Sequence, residues 1–152
     1  MKQRLPSMLF TFSLMILLGF ILVLLASFFI SGPARLLEKE DRAIVHVVRS
    51  RYQLDDAELL ARHSYHQVVY VLYSMSRERL YFVDIEGFLI ESTEVPGIHE
   101  TLRSLLNEYQ LNEEDLTYGY ALKPVFVLET LTHLIFVEFD GTVVLNYRKG
   151  IR

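Results

Sequence analysis

One nine-residue pattern occurs twice in the sequence, as RYQLDDAEL at residues 51–59 and as EYQLNEEDL at residues 108–116. The similarity continues downstream. VYVL at 69–72 matches VFVL at 125–128, and LYFVDIEG at 80–87 matches LIFVEFDG at 134–141. The offset between the copies falls from 57 residues to 54, so only small insertions separate them. Such self-similarity indicates two copies of one structural unit.

Each copy begins with a helical pattern. In the second copy, apolar residues recur at the spacing of one helix face after the punctuation of Pro96 and Gly97, namely at Ile98, Leu102, Leu105, Leu106 and Tyr109. In the first copy, Pro33 can open a helix over residues 35–53, which contain no further Pro and no Gly. Both predicted helices end at a Gln-Leu pair that is followed by an acidic stretch.

Strand patterns follow each helix. Apolar β-branched and aromatic residues fill 68–73 and 125–128, and similar runs follow at 80–85 and 133–139. Each later run leads into a turn, Glu86-Gly87 or Asp140-Gly141, and then into a further strand. Glycine accepts the positive φ of a tight primed hairpin turn, so these four residues predict two hairpins. The expected fold class is α+β, with each module a helix packed on a three- or four-stranded antiparallel sheet.

The N-terminal part has a different composition. Residues 8–30 carry no charge, and a helix of that length reaches about 34 Å, enough for a hydrocarbon core of about 30 Å. We therefore expect a short N-terminal segment (1–7), a transmembrane signal anchor (8–30), a first module (35–94) and a second module (95–152). The alternative is a cleaved signal peptide, for which Gly32-Pro33-Ala34 offers small residues, but the apolar run exceeds the usual 7–15 residues.

Charge predicts the orientation of the anchor and the kind of partner. Lys2 and Arg4 precede the apolar run, whereas all 19 acidic residues follow it, so the positive-inside rule places residues 1–7 in the cytoplasm. The predicted extracytoplasmic part carries the other 13 of the 15 basic residues and has a formal charge of −6. Such an acidic part is a poor candidate for nucleic-acid binding, which depends on a basic patch.

Motifs for catalysis or cofactor binding are missing from the sequence. The chain has no cysteine, and His63 and His66 are three residues apart on a predicted strand, where they would point to opposite faces. The acidic runs Asp55-Asp56 and 113–115 occupy the same place in both copies. Their catalytic interpretation is a hydrolase, but capping and solvated loops are the commoner roles of such runs. We expect no enzyme, no cofactor and no metal site.

Aromatic residues on the predicted strands are too many for one core face. Most should pack in the core, and those left at the surface would be anchors for a protein partner, since aromatic residues dominate interface energetics. The candidates for this protein-interaction role are Tyr73, Tyr81, Tyr118, Tyr120 and Tyr147. Open sheet edges are a second docking option.

The chain resembles the TseB-like cell-wall elongation regulators of Gram-positive bacteria, which carry two PepSY-like (cystatin-like) domains behind one N-terminal transmembrane helix. The resemblance covers nearly the whole chain in architecture. In sequence it lies in the helix at Glu38–Tyr52, the strand at Val68–Leu72 and the acidic-Gly hairpins at Asp84–Gly87 and Glu138–Gly141.

The resemblance implies a non-enzymatic regulator of peptidoglycan elongation that contacts a penicillin-binding protein from the outer face of the cell membrane. Two alternatives remain open from the sequence. One is a membrane-anchored regulator of a sensor histidine kinase, in which residues 8–30 would carry binding information. The other is a PepSY-type restraint of a secreted peptidase.

Overall fold

The structure is a computed structural model that describes residues 4–150, including the side chains of residues 10–28 and 33–150. Within these residues the architecture is α+β, with two α-helices and two four-stranded antiparallel sheets. The elements are α1 (Arg4–Tyr52), β1 (Ala57–Ser64), β2 (Val68–Ser74), β3 (Arg79–Val83), β4 (Leu89–Glu94), α2 (Glu100–Tyr109), a 3₁₀ turn (Glu113–Asp115), β5 (Leu116–Tyr120), β6 (Pro124–Glu129), β7 (His133–Glu138) and β8 (Val143–Arg148).

The chain divides into two compact units, Met1–Arg42 and Ala43–Arg152, and both sheets belong to the second unit. This division falls within α1 and does not test the module boundary expected near residue 94. The two modules, 35–94 and 95–152, therefore stay a prediction.

Helix α1 corrects one expectation. The sequence predicted a separate helix over 35–53 that begins after Pro33, whereas the structure has one continuous helix through that proline. The fixed φ of proline suits a helix, but a proline inside a helix loses one backbone hydrogen bond and its ring crowds the carbonyl four residues earlier. The following residues, rich in Leu, Ala, Glu, Lys and Arg, have high helix propensity and continue the helix.

The first unit exposes an apolar helix surface. Every residue from Phe10 to Phe28 is exposed, although nearly all of them are apolar. By length and composition this helix can cross a membrane, and it is the only one of that kind in the part of the chain described.

The two sheets share one plan. Their strand orders are β1-β2-β3-β4 and β5-β6-β7-β8, and both have a register shift in the last strand pair, at Phe82/Val83 and at Phe136/Val137. The strand register makes Leu72 equivalent to Leu128. Leu72 lies between Leu59 and Tyr81 on the neighbouring strands, and Leu128 lies between Leu116 and Ile135. Among the described strands, only β1 has a further bulge, between Leu59 and Ala61.

One face of each sheet packs against helical side chains. Ile44 and Val48 of α1 are buried with Tyr70, Leu72, Tyr81 and Val83, whereas Leu102 and Leu106 of α2 are buried with Phe126, Leu128, Ile135 and Val137. Both helices end at a glutamine in the left-handed region, Gln53 (φ 54°) and Gln110 (φ 55°). The following leucine N–H then returns to the helix, from Leu54 to the Arg49 carbonyl and from Leu111 to the Leu106 carbonyl. These bonds satisfy carbonyls that a helix end leaves unpaired.

The hairpin turns form where the sequence predicted them but with a different geometry. Gly87 (φ 75°) and Gly141 (φ 93°) have positive φ, whereas Glu86 and Asp140 do not. A primed two-residue turn needs positive φ at both central residues or at the first, so that expectation was wrong. Each loop instead has three residues. In the first sheet, a hydrogen bond from the Asp84 N–H to the Phe88 carbonyl closes the loop. In the second sheet, the equivalent hydrogen bond runs from the Glu138 N–H to the Thr142 carbonyl.

The two sheets also contact each other, at a region that we call the seam. There the ring centroid of Phe82 lies 5.5 Å from that of Tyr120, and the ring centroid of Phe136 lies 5.0 Å from that of His63. A fully buried phenylalanine of each sheet thus contacts the first strand of the other sheet. Burying a side chain of this size contributes about 1.5–3 kcal/mol to folding, so the seam contributes to the stability of both sheets.

Candidate functional site: the seam cavity

The five candidate tyrosines have different environments. Tyr81 is buried with the α1 side chains, and Tyr120 packs on Phe82 and donates its hydroxyl to Glu91 Oε2 at 3.3 Å. Tyr147 is 57% exposed on the edge strand β8. Tyr73 and Tyr118 are brought together, because both line one cavity at the seam.

This seam cavity has a volume of about 340 Å³. Its lining comes from both sheets and consists of Leu60, Tyr73, Glu78, Leu80, Val95 and Tyr118. Ligand pockets typically measure about 300–1,000 Å³ and combine apolar walls with a few convergent polar groups. The seam cavity has this composition, with three aliphatic side chains, two phenols and one carboxylate.

Two irregularities of the first sheet shape the cavity. Leu60 is the extra residue of the β1 bulge, so it has no partner opposite it on β2 and its side chain is 45% exposed. Glu78 ends the β2–β3 loop with a φ of 50°, and its carbonyl accepts the Val95 N–H at 3.4 Å. That bond holds the chain after β4 against the loop, so Val95 and Glu78 line the same cavity.

The polar groups of the cavity are not engaged. Within residues 10–28 and 33–150, neither the Glu78 carboxylate nor the hydroxyls of Tyr73 and Tyr118 have a hydrogen-bond or ion-pair partner. Burial raises the pKa of Tyr118, and the neighbouring Tyr73 phenol raises it further. The Tyr118 hydroxyl therefore stays protonated near neutral pH and can donate a hydrogen bond.

The equivalent place on the other side of the seam differs in chemistry. By strand register, Arg62 occupies the position of Tyr118, Glu129 that of Tyr73 and Lys149 that of Val95. There the Lys149 Nζ lies 2.5 Å from Glu129 Oε1 and also donates to the Thr130 carbonyl at 2.9 Å. Lys149 and Glu129 thus form an ion pair at these positions, where the first copy has the uncharged Val95 and Tyr73.

The acidic runs after each helix have structural contacts. Asp56 Oδ2 accepts the Ser76 backbone N–H at 2.6 Å, and Asp56 Oδ1 accepts the Ser74 hydroxyl at 2.9 Å. The Ser76 bond in particular lowers the pKa of Asp56. In the second copy, Asp115 Oδ2 accepts the Asn112 N–H at 2.8 Å within a capping box. Both acids thus hold turns together.

No cluster of three metal-ligating side chains exists among the described residues. His63 lies at the seam, where burial lowers its pKa and the charge of Glu129 opposes that change. Its Nε2 is buried and has no hydrogen-bond partner in the described part of the chain. This environment favours a neutral imidazole that packs against Phe136.

Of the six lining residues, Tyr73 and Tyr118 are candidates that the sequence predicted, whereas Leu60, Glu78, Leu80 and Val95 are not. A signal for two of them was present in the repeat. The offset between the copies changes from 57 to 56 between Leu59 and Val69, which marks the extra residue of the bulge. It changes again to 54 in the β2–β3 loop, where the first copy has two additional residues and where Glu78 lies.

No protein-family model, curated protein or solved structure matches this chain.

Proposed function

We propose that this protein is a non-enzymatic, membrane-anchored regulator of peptidoglycan elongation that acts by contact with a penicillin-binding protein outside the cytoplasm. The proposed anchor is residues 8–30, with residues 1–7 in the cytoplasm and the sheets on the outer side. The observation that carries the membrane location is the uninterrupted exposure of Phe10–Phe28. In water, so large an apolar surface would be strongly unfavourable, whereas a bilayer covers it.

The proposed domains are two PepSY-like (cystatin-like) modules. Two features support this assignment. Each sheet is preceded in the chain by a helix that contributes buried side chains to one of its faces, and the sheets share strand order and the late register shift. The resemblance in sequence to TseB-like regulators lies in the same elements.

The seam cavity supports a binding function over a catalytic one. Its only ionisable lining groups are one carboxylate and two phenols, and no imidazole lies among the lining residues. A hydrolase would need a paired general acid and base or an activated nucleophile around a reacting centre. Aromatic and aliphatic walls with a few polar groups are instead typical of a pocket that receives an anchor residue from a partner.

In-cell photocrosslinking tests this proposal and separates it from a kinase regulator. A photoreactive phenylalanine analogue at Leu60, which lines the cavity, reports on external contacts, and the same analogue at Leu18, which is exposed on α1, reports on contacts in the membrane. Leu131, 97% exposed in the β6–β7 loop, is the matched control position outside the cavity.

We expect capture of a penicillin-binding protein from Leu60 and not from Leu131. Capture of a histidine kinase from Leu18, with no wall-synthesis enzyme from Leu60, would overturn the proposal in favour of the kinase regulator. Capture of a secreted peptidase from Leu60 would replace the penicillin-binding protein as the partner.

A further inference from the structure

Glu78, an exposed lining residue of the seam cavity, carries a negative charge that no described residue pairs with. The Glu78 carboxylate has no ion-pair partner among the described residues, although basic residues precede and follow it in the chain. Both of those are engaged elsewhere, since Arg77 donates to the Gln53 carbonyl at 3.4 Å and Arg79 donates to the Ser92 carbonyl at 3.3 Å. The acid of the cavity is therefore available to an external cation.

The other lining groups also favour a cation. Tyr73 and Tyr118 present aromatic rings, whose faces attract cations by the ring quadrupole, and their hydroxyls are free to make hydrogen bonds. Because aromatic ring faces and a carboxylate both attract cations, this lining favours an ammonium or guanidinium group over an anion or a neutral polar group. No basic side chain contributes to the lining.

The apolar walls of the cavity favour a cation that is carried on an alkyl chain. Leu60 and Val95 supply exposed aliphatic surface to the same cavity, and the buried Leu80 also lies in its wall. Lysine and arginine carry a methylene stem that packs on apolar surface while the charged head group finds polar partners. A hydrated inorganic cation would leave these walls unused. The volume of about 340 Å³ lies at the lower end of the range for ligand pockets and is large enough for a single side chain.

Charge at long range favours a protein source for this side chain. Residues 35–152 have a formal charge of −6, which attracts a basic segment and repels an acidic one. We infer that the seam cavity binds the side chain of a lysine or arginine that a basic segment of the protein partner presents. This inference rests on the proposed function as a protein-contact module, and it specifies the chemistry of the contact.

The test uses the full chain in neutral detergent micelles, labelled with 3-fluorotyrosine and observed by ¹⁹F NMR. Tyr73→Phe and Tyr118→Phe variants assign the two resonances. Three capped nonapeptides are titrated that differ only at the central residue, which is lysine, acetyl-lysine or norleucine. A free amine, n-butylammonium, is the fourth probe.

We expect the lysine peptide to shift the Tyr73 and Tyr118 resonances saturably. The other two peptides should bind with an affinity that is at least about tenfold lower, because they lose one charge-assisted hydrogen bond. Glu78→Gln should lower the affinity for the lysine peptide by a similar factor. Glu129→Gln, on the opposite side of the seam, should leave that affinity unchanged. Both variants are checked by circular dichroism to be fully folded under the conditions of the titration.

Equal binding of the three peptides, or an unchanged affinity in folded Glu78→Gln, would overturn the inference. Binding of n-butylammonium as tight as that of the lysine peptide would overturn the assignment to a protein segment. The crosslinking result is independent: lysine-specific binding without capture of a penicillin-binding protein refutes the proposed partner and not the cavity chemistry.

Discussion

The two sides of the seam have equivalent backbones and opposite chemistry. On one side, Tyr73, Glu78 and Tyr118 surround a cavity in which the acid has no ion-pair partner among the described residues. On the other side, Glu129 and Lys149 occupy positions equivalent to Tyr73 and Val95 and pair with each other. The repeated backbone thus provides equivalent positions in the two copies, but the side chains differ: Glu129 is paired with Lys149, whereas Glu78 has no ion-pair partner among the described residues.

The centre of the seam has a second asymmetry. His63 and Gly119 occupy equivalent positions, since they pair with the equivalent residues Val69 and Val125, and they lie against each other. A Cβ at Gly119 would lie 3.3 Å from His63 Cγ and 2.5 Å from Val127 Cγ2. The imidazole therefore fits only because the other copy has no side chain there.

The largest expected effect comes from the phenylalanines that each sheet directs across the seam. Phe82→Ala and Phe136→Ala should each lower the free energy of unfolding by about 3–5 kcal/mol, because both side chains are fully buried. The measurement is urea unfolding of the full chain in detergent micelles, followed by tyrosine circular dichroism. Phe88→Ala is the control, since Phe88 is 51% exposed. A loss below about 1 kcal/mol for either buried residue would contradict a shared seam.

Crowding at the centre of the seam should have the next largest effect. Gly119→Ala should cost about 1–3 kcal/mol of unfolding free energy, because the added methyl group overlaps Val127 and presses on His63. Gly97→Ala is the matched control, since a Cβ there meets nothing within 4 Å. The same urea titration measures both variants. Similar midpoints for the two would show that His63 and Gly119 do not pack closely.

Acidification should weaken the seam through His63. Burial lowers its pKa in the folded protein, so the full stability is present above the unfolded value of about 6.5 and is lost as the pH falls through the folded value. The slope for one proton is at most about 1.4 kcal/mol per pH unit. Urea midpoints between pH 7.5 and 5.0 measure it. His63→Gln should flatten the dependence of the urea midpoint on pH, whereas His66→Gln, at an exposed position, should not. An unchanged pH dependence in His63→Gln would contradict the role of His63.

The smallest expected effect distinguishes the two acids of the seam. Glu129→Gln should lower the free energy of unfolding by about 0.2–1 kcal/mol, and less in high salt, because it breaks a partly exposed ion pair with Lys149. Glu78→Gln should cost less, since its carboxylate has no ion-pair partner in the described residues. Urea midpoints at low and high salt measure both. A larger loss for Glu78→Gln would mean that this acid has a structural role.

The sequence located most elements of the fold because their signals are local. The apolar spacing from Ile98 to Tyr109 predicted α2, and the structure places that helix at Glu100–Tyr109. The acidic-Gly pairs at 86–87 and 140–141 located both hairpin loops, although the loop geometry differed from the expected primed turn. The predicted start of a helix at Pro33 was wrong, because the helix propensity of the neighbouring residues outweighs the local cost of the proline.

By itself, the sequence determined the repeat, the apolar N-terminal helix, the strands and the glycines of the hairpins, since each depends on residues close together in the chain. Which tyrosines lie close together depends on the tertiary structure and is not predictable from the sequence. Tyr73 and Tyr118 share a cavity, whereas Tyr81 is buried on the helix side of its sheet. The physical reason is that periodicity tells which residues share a strand face, but the packing of two distant sheets determines what lies against that face.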